Sequence, residues 1–299
     1  MEHEFLVVNS FAAAPFGGNP AAVFPDADNL AKDLMQKIAR QMNLVETVFV
    51  SAGSQGADFR LRYFTPAEEL PVAGHPTIAA VAALLATGRT DASRTKSLVV
   101  ETGAGQQAVG IDSGASPPVI VMDQPSPAFH PVIDDRQEVA ETLGLTAADL
   151  IDGLPVQPVD TGLGHIIVPV KSLDSLMRVR RDTEPLRAMC RRYGMREVQA
   201  FAFAAYDPAN DLHTRNICPR EGLEDPGCGI GNGALGAYLL EHRFRDRPAI
   251  RLQAEQGTVV NMPCCITIHA SRSPAGIALA VGGPGIVMIR GTFYSGCQR

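Results

Sequence analysis

No cysteine precedes Cys190 in this 299-residue chain. The six present, Cys190, Cys218, Cys228, Cys264, Cys265 and Cys297, form no C-x-x-C pair and accompany no closely spaced pair of histidines. Their spacing indicates neither a zinc site nor a disulfide scaffold, and reduced thiols fit a cytosolic enzyme. Runs of Lys and Arg are also missing, as are basic patches interleaved with aromatics. With a net charge of -6 and a pI near 5.7, a nucleic acid or an anionic membrane is an unsuitable partner. The N-terminal Met-Glu-His-Glu is acidic where a signal peptide is basic, and the longest apolar run, roughly residues 78–87, is too short to cross a bilayer. A soluble, cytoplasmic protein is expected. Hydrophobic residues make up 45%, enough for one large or two medium cores, and two domains are expected.

What is present centres on one stretch, "RYFTPAEELPVAGHPTIAA", residues 62–80. A charged, proline-marked loop stops at Gly74-His75-Pro76 and runs into small apolar residues suited to a helix. Pro76 is favoured at a first helical position, where a backbone N–H has no intrahelical acceptor. His75 therefore falls at a helix N-terminus, where free N–H groups and the helix dipole attract anions and lower an imidazole pKa. The plainer alternative is a histidine on a surface loop.

The chain also repeats itself. RYFTPAEEL from Arg62 matches RNICPREGL from Arg215 at Arg, Pro, Glu and Leu. AGHPTIAAVAALL from Ala73 matches CGIGNGALGAYLL from Cys228, pairing Gly74 with Gly229 and Leu84-Leu85 with Leu239-Leu240. Arg40 and Phe49 pair with Arg192 and Phe201, and Glu101-Thr102-Gly103 pairs with Glu255-Gln256-Gly257. A period this long is a duplicated half-domain rather than a solenoid unit. Each half reads as strands, a helix (about 29–42 and 183–193), more strands, the Gly-loop with its helix, and further strands. The class is α+β, with both Gly-loop helices expected to open toward one cleft.

Candidate side chains follow from where the copies agree and differ. Glu46 aligns with Val198, so only the first half is expected to carry a carboxylate there. Its apolar flanks, Val45 and Val48-Phe49, predict burial and a raised pKa suited to acid–base work; the alternative is a strand-start carboxylate facing solvent. Asp225 immediately precedes the second Gly-loop, although Asp-Pro-Gly is also ordinary turn chemistry. The loop GCGIGNGA contains Gly229-x-Gly231-x-x-Ala234 but follows no apolar strand, so a dinucleotide fingerprint is not supported. Cys228 falls at the second helix N-terminus, which lowers a thiol pKa, and its counterpart is Ala73.

These residues resemble the PhzF-type phenazine-biosynthesis isomerases, which share the diaminopimelate epimerase fold. The carrying stretches are VNSFAAAPFGGNPAAVF (8–24), ARQMNLVETVFV (39–50), RYFTPAEELPVAGHPT (62–77), MDQPSPAF (122–129) and EDPGCGIGNGALGAYL (224–239). The resemblance implies two pseudo-symmetric half-domains, each with strands wrapped around a central helix, and an active site between them. Residues 1–126, completed by a strand near 287–299, would form the first and residues 127–286 the second. It further implies that Glu46 transfers the proton with His75 and Asp225 as its catalytic partners. Gly74, Cys228, Gly229 and Ile230 would line the substrate. No metal or organic cofactor is called for, and a homodimer is expected.

In the phenazine enzyme the glutamate moves a proton between ring carbons of trans-2,3-dihydro-3-hydroxyanthranilate. This chain departs from the pattern at Asn9, where the family has Asp, and at Gly227-Cys228-Gly229-Ile230, where it has Ala-Thr-Gly-Ser. Its QGTVVNMP also lacks the usual Gly-Arg-Pro. The lost hydroxyl at Ile230 can shift substrate preference. The expectation is thus a cofactor-independent isomerase of a small, carboxylate-bearing, cyclic substrate. The alternatives are an amino-acid racemase or epimerase using Cys228, and a small-ligand-binding protein without turnover.

Overall fold

A computed structural model describes residues 1–12 and 14–296. Cys297 and the end of the strand expected near 287–299 lie outside the described residues. The chain divides into two compact units, Met1–Asp123 together with the chain from Gly282 onward, and Gln124–Val281.

The first unit contains β1 (Glu2–Ser10), β2 (Asn19–Phe24), α1 (Lys32–Met42), β3 (Glu46–Ala52), β4 (Phe59–Phe64), β5 (Glu69–Leu70), α2 (Gly74–Ala86), β6 (Ser97–Thr102), β7 (Gly105–Asp112) and β8 (Val119–Gln124). α1 is amphipathic. Met35, Ile38 and Ala39 recur at helical spacing on its buried face, and Asn43 ends it in the left-handed conformation with its N–H on the Ala39 carbonyl. That face packs on Phe24, Phe49 and Phe64, with Phe24 stacked on Phe49 at 5.0 Å and Phe64 edge-on at 5.4 Å. α2 differs in kind, since every residue from Pro76 to Leu84 is buried. A helix apolar on all sides must be surrounded, and α2 packs on β1, β2, β3 and β4.

The second unit contains β9 (Ala128–Phe129), α3 (Arg136–Thr142), β10 (Gln157–Asp160), β11 (Gly164–Pro169), α4 (Leu173–Arg178), α5 (Thr183–Arg192), β12 (Glu197–Ala202), β13 (Leu212–Cys218), β14 (Leu223–Asp225), α6 (Gly229–Glu241), β15 (Ala249–Gln256), β16 (Cys264–Ser273) and the start of β17 (Gly276–Tyr294). Leu186 and Met189 of α5, with Val139, Leu143 and Leu176, close over Ile166, Val168, Val198 and Ala200 of the sheet. α6 is buried on nearly every face. Gly236 allows it to approach β16: a Cβ there would stand 2.6 Å from Ile268 Cγ2.

The same succession of pairings occurs in each unit. In the first, β1–β2 is antiparallel, β2–β3 parallel, β3–β4 antiparallel, β4–β6 parallel and β6–β7 antiparallel. In the second, β10–β11, β11–β12, β12–β13, β13–β15 and β15–β16 follow that order. The parallel steps need crossovers, supplied by the helices. This α+β fold is a mixed sheet with few helices, and no described helix is long and apolar enough to cross a membrane.

The register corrects one expectation. Glu46 pairs with Ala21 at the start of β3, and Glu197 pairs with His165 at the start of β12. Phe49 lies opposite Arg62, and Ala200 opposite Arg215. Since Arg62 and Arg215 are repeat partners, the counterpart of Glu46 is Glu197 rather than Val198. Matching Phe49 to Phe201 displaced the alignment by one residue, which in a strand exchanges the two faces. Both units therefore carry a carboxylate at this position.

Candidate functional site

In the first unit Glu46 opens β3 and His75 is the second residue of α2, inside its first turn. The helix begins at Gly74, two residues before the proline that marks it in the sequence. The Ser10 hydroxyl donates to the His75 carbonyl at 2.6 Å and fixes the backbone there. His75 Nδ1 lies 3.5 Å from Glu46 Oε2, with side-chain exposures of 10% and 12%.

Burial lowers the His75 pKa to about 4, against the raising influence of a hydrogen bond to the Pro20 carbonyl. The ring is therefore neutral at pH 7, and its approach to Glu46 is a dipole–carboxylate contact rather than an ion pair. Nε2 is buried and has no hydrogen-bond partner among the described residues. Its bond to Pro20 thus runs through Nδ1–H, leaving the Nε2 lone pair to accept from a ligand. Beside it, Gly74 fronts open space, with nothing within 4 Å of the position a Cβ would take.

In the second unit Asp225 ends β14. Burial, aided by the charge of Glu197, raises its carboxyl to about 6, although Oδ1 accepts from the Gly227 N–H at 2.9 Å. Cys228 caps α6, its Sγ accepting from the Gly231 N–H at 3.3 Å. The helix position was expected to lower its pKa. Instead burial, then the charges of Glu197 and Asp225, push the thiol well above its ordinary value and outweigh the helix N–H groups. Gly229 is buried and its carbonyl accepts from Gln124 Nε2 at 2.9 Å. Ile230 is half-buried, its carbonyl facing the Thr161 hydroxyl at 3.4 Å.

Two residues absent from the sequence reading join this group. His165 Nε2 lies 3.0 Å from Glu197 Oε2, and Cys228 Sγ stands 3.8 Å from His165 Nε2 and 4.0 Å from Glu197 Oε2. Burial pushes the Glu197 carboxyl up. Its hydrogen bonds to His165, Asn216 and Cys218, with the charge of His165, bring it below the usual range. The sequence offered no signal for Glu197, because the offset of the Arg62–Arg215 match carries Glu46 to Gln199, and only the strand pairing of Phe49 with Arg62 and Ala200 with Arg215 sets the register. His165 carried none, because it reaches Glu197 through a parallel pairing across a helical crossover.

Asn9, which departs from the resemblance, is buried and donates Nδ2–H to the Gly17 carbonyl at 2.6 Å. A carboxylate could not donate this bond.

Each unit of this mixed α+β fold thus carries a carboxylate–imidazole pair, an arrangement chemically suited to acid–base work, and comparison with known proteins says which family the chain resembles. The family model described as phenazine biosynthesis-like protein matches residues 8–291. The Bacillus subtilis isomerase YfhB is 35% identical over 243 residues, covering 81% of this chain and 82% of its own. The trans-2,3-dihydro-3-hydroxyanthranilate isomerase of Pseudomonas fluorescens is 32% identical over 295 residues, covering 97% and 99%. Among solved structures, a PhzF-family phenazine biosynthesis protein of Bacillus anthracis superposes with a TM-score of 0.90 at 28% identity, covering 98% and 99%. The chain belongs to the phenazine biosynthesis-like (PhzC-PhzF) family, and it is an isomerase.

Proposed function

We propose that the enzyme moves a proton, and with it a double bond, in a small, carboxylate-bearing cyclic substrate of the kind acted on by the trans-2,3-dihydro-3-hydroxyanthranilate isomerases. Glu46 takes a proton from one carbon and returns it to another. The observation that carries the reading is the Glu46–His75 pair. The facing imidazole is neutral near pH 7, so it orients the carboxylate without neutralising it, and Nε2 can accept from a substrate O–H or N–H. In this reading His75 and Asp225 are the polar partners of the reaction, and the backbone N–H groups at the helix starts by Gly74 and Gly229 are suited to a carboxylate. Ile230 replaces a hydroxyl with an apolar wall, which favours a substrate lacking a polar group at that point. No cofactor enters the scheme. The working form in this reading is a cytoplasmic homodimer, which sedimentation of the purified protein tests.

Solvent-proton exchange in deuterium oxide provides the decisive assay. Glu46→Gln, nearly isosteric but unable to accept a proton, should lower turnover at least roughly a hundredfold with ligand binding retained. Cys228→Ala should cost far less.

Racemisation through Cys228 is the second reading, favoured by the nearness of its Sγ to His165 Nε2. Two features weigh against it. The thiol is held protonated by burial and two carboxylates, and the first unit has Ala73 at the corresponding position. Loss of exchange in Cys228→Ala with exchange spared in Glu46→Gln would make racemisation the better account.

A further inference from the structure

We propose that His165, Glu197 and Cys228 form a binding site for a soft divalent cation of the zinc type. The three residues come from β11, β12 and the cap of α6, and all three are buried. Their ligating atoms are 3.0, 3.8 and 4.0 Å apart. A tetrahedral ion with bonds of about 2.0 Å to nitrogen and oxygen and about 2.3 Å to sulfur needs separations of roughly 3.3–3.6 Å. The atoms stand within about half an ångström of that arrangement, so small side-chain adjustments complete it.

Hydrogen bonding around the group points the same way. His165 Nδ1 lies 2.8 Å from the Leu163 carbonyl, which can only accept, so Nδ1 carries the proton. A backbone carbonyl in this role is the usual device for orienting a metal-bound imidazole and presenting its other nitrogen as the ligand. Nε2 then faces the Glu197 carboxylate, and a lone pair opposite a carboxylate repels it unless a cation lies between them. Either a second ring proton or a metal ion satisfies this geometry, and Cys228 is placed to add a thiolate only in the second case. Metal binding exchanges the thiol proton for the ion and releases it to buffer. Carboxylate, imidazole and thiolate together favour zinc-like ions over magnesium or calcium, which select oxygen donors. Three protein ligands leave a fourth position for water. Chain spacing gave no sign of this site because no two of its ligands are closer than about thirty residues in sequence, whereas spacing signatures recognise ligands on one turn or hairpin.

The test is titration of the full-length, metal-free protein with cobalt(II), followed by zinc(II). One equivalent of cobalt should produce a sulfur-to-cobalt charge-transfer band in the near ultraviolet, and zinc should abolish it. Cys228→Ser should lose the band. His165→Asn and Glu197→Gln should weaken binding at least tenfold, and Cys265→Ser should bind as the parent does. X-ray absorption of the zinc-loaded parent should show one sulfur scatterer, a measurement independent of how any variant folds. No band at one equivalent, a band that survives Cys228→Ser, or zinc without a sulfur scatterer overturns the proposal. Because the readout is metal binding and not turnover, the result is independent of the proton-shuttle reading.

Discussion

Asp225→Asn should make the protein more stable relative to the parent as pH rises from 4 to 7. Burial raises the Asp225 carboxyl from its ordinary 3.8 to about 6. The unfolded chain therefore gives up this proton earlier than the folded one, and the contribution to stability is fully present below pH 3.8, falls between 3.8 and 6, and is lost above 6. The full shift corresponds to about 3 kcal/mol, and the partial exposure of the residue reduces that to about 2–3 kcal/mol.

His75 acts in the opposite sense. Its pKa falls from 6.5 to about 4, so stability is present above 6.5 and declines by about 3 kcal/mol as pH falls through this window. In the parent the two nearly cancel between pH 4 and 6; removing the Asp225 titration exposes the His75 slope. Urea denaturation of parent and variant at half-unit pH steps measures the difference directly. The variant should gain about 2–3 kcal/mol between pH 4 and 7, or about 3–5 °C in melting temperature for a chain of this size. A difference that stays flat within about 0.5 kcal/mol would refute the assignment of Asp225 as a perturbed, buried acid.

Three further outcomes follow from the packing. Glu224→Gln should cost about 3–5 kcal/mol in chemical denaturation, because Arg215 is buried, pairs with Glu224 Oε2 at 2.8 Å and would keep its charge without a counterion of that quality. Gly236→Ala should cost about 1–3 kcal/mol by forcing α6 away from β16, read as a lower midpoint. Asn9→Asp should lower stability by about 1–3 kcal/mol at pH 7, through loss of the donor to the Gly17 carbonyl, with partial recovery at acid pH as the carboxyl takes up a proton.

The parts of the fold legible in the sequence were those with strong local signals. The run from Pro76 to Leu84 is apolar on every side of a helix, and only a surrounded helix accommodates it, so α2 and its repeat partner α6 could be read before any coordinates. α1 was legible from Met35, Ile38 and Ala39. Parts of the site escaped for two physical reasons. A strand repeats every two residues, so the coincidence of Phe49 with Phe201 was enough to move Glu197 off its counterpart and reverse the face it was assigned. The thiol of Cys228 was judged from its helix alone, whereas burial, and then the charges of Glu197 and Asp225 on other strands, reverse the direction of the shift. The Glu46–His75 approach was expected only from the family resemblance and not from spacing, since β3, β4 and β5 separate the two residues along the chain.

The long strand β17 has a consequence for synthesis. It leaves the second unit at Val281, and from Gly285 to Tyr294 it pairs with β1, the first strand to be made. On the ribosome β1 must wait, its edge unpaired by β17, while all of Gln124–Val281 is translated. At ordinary elongation rates that interval lasts roughly 10–30 s. The second unit, contiguous in the chain, can complete itself in that time. Birth order is therefore inverted: the N-terminal unit is begun first and finished last, and during the delay its open strand edge is the surface a chaperone would need to shield.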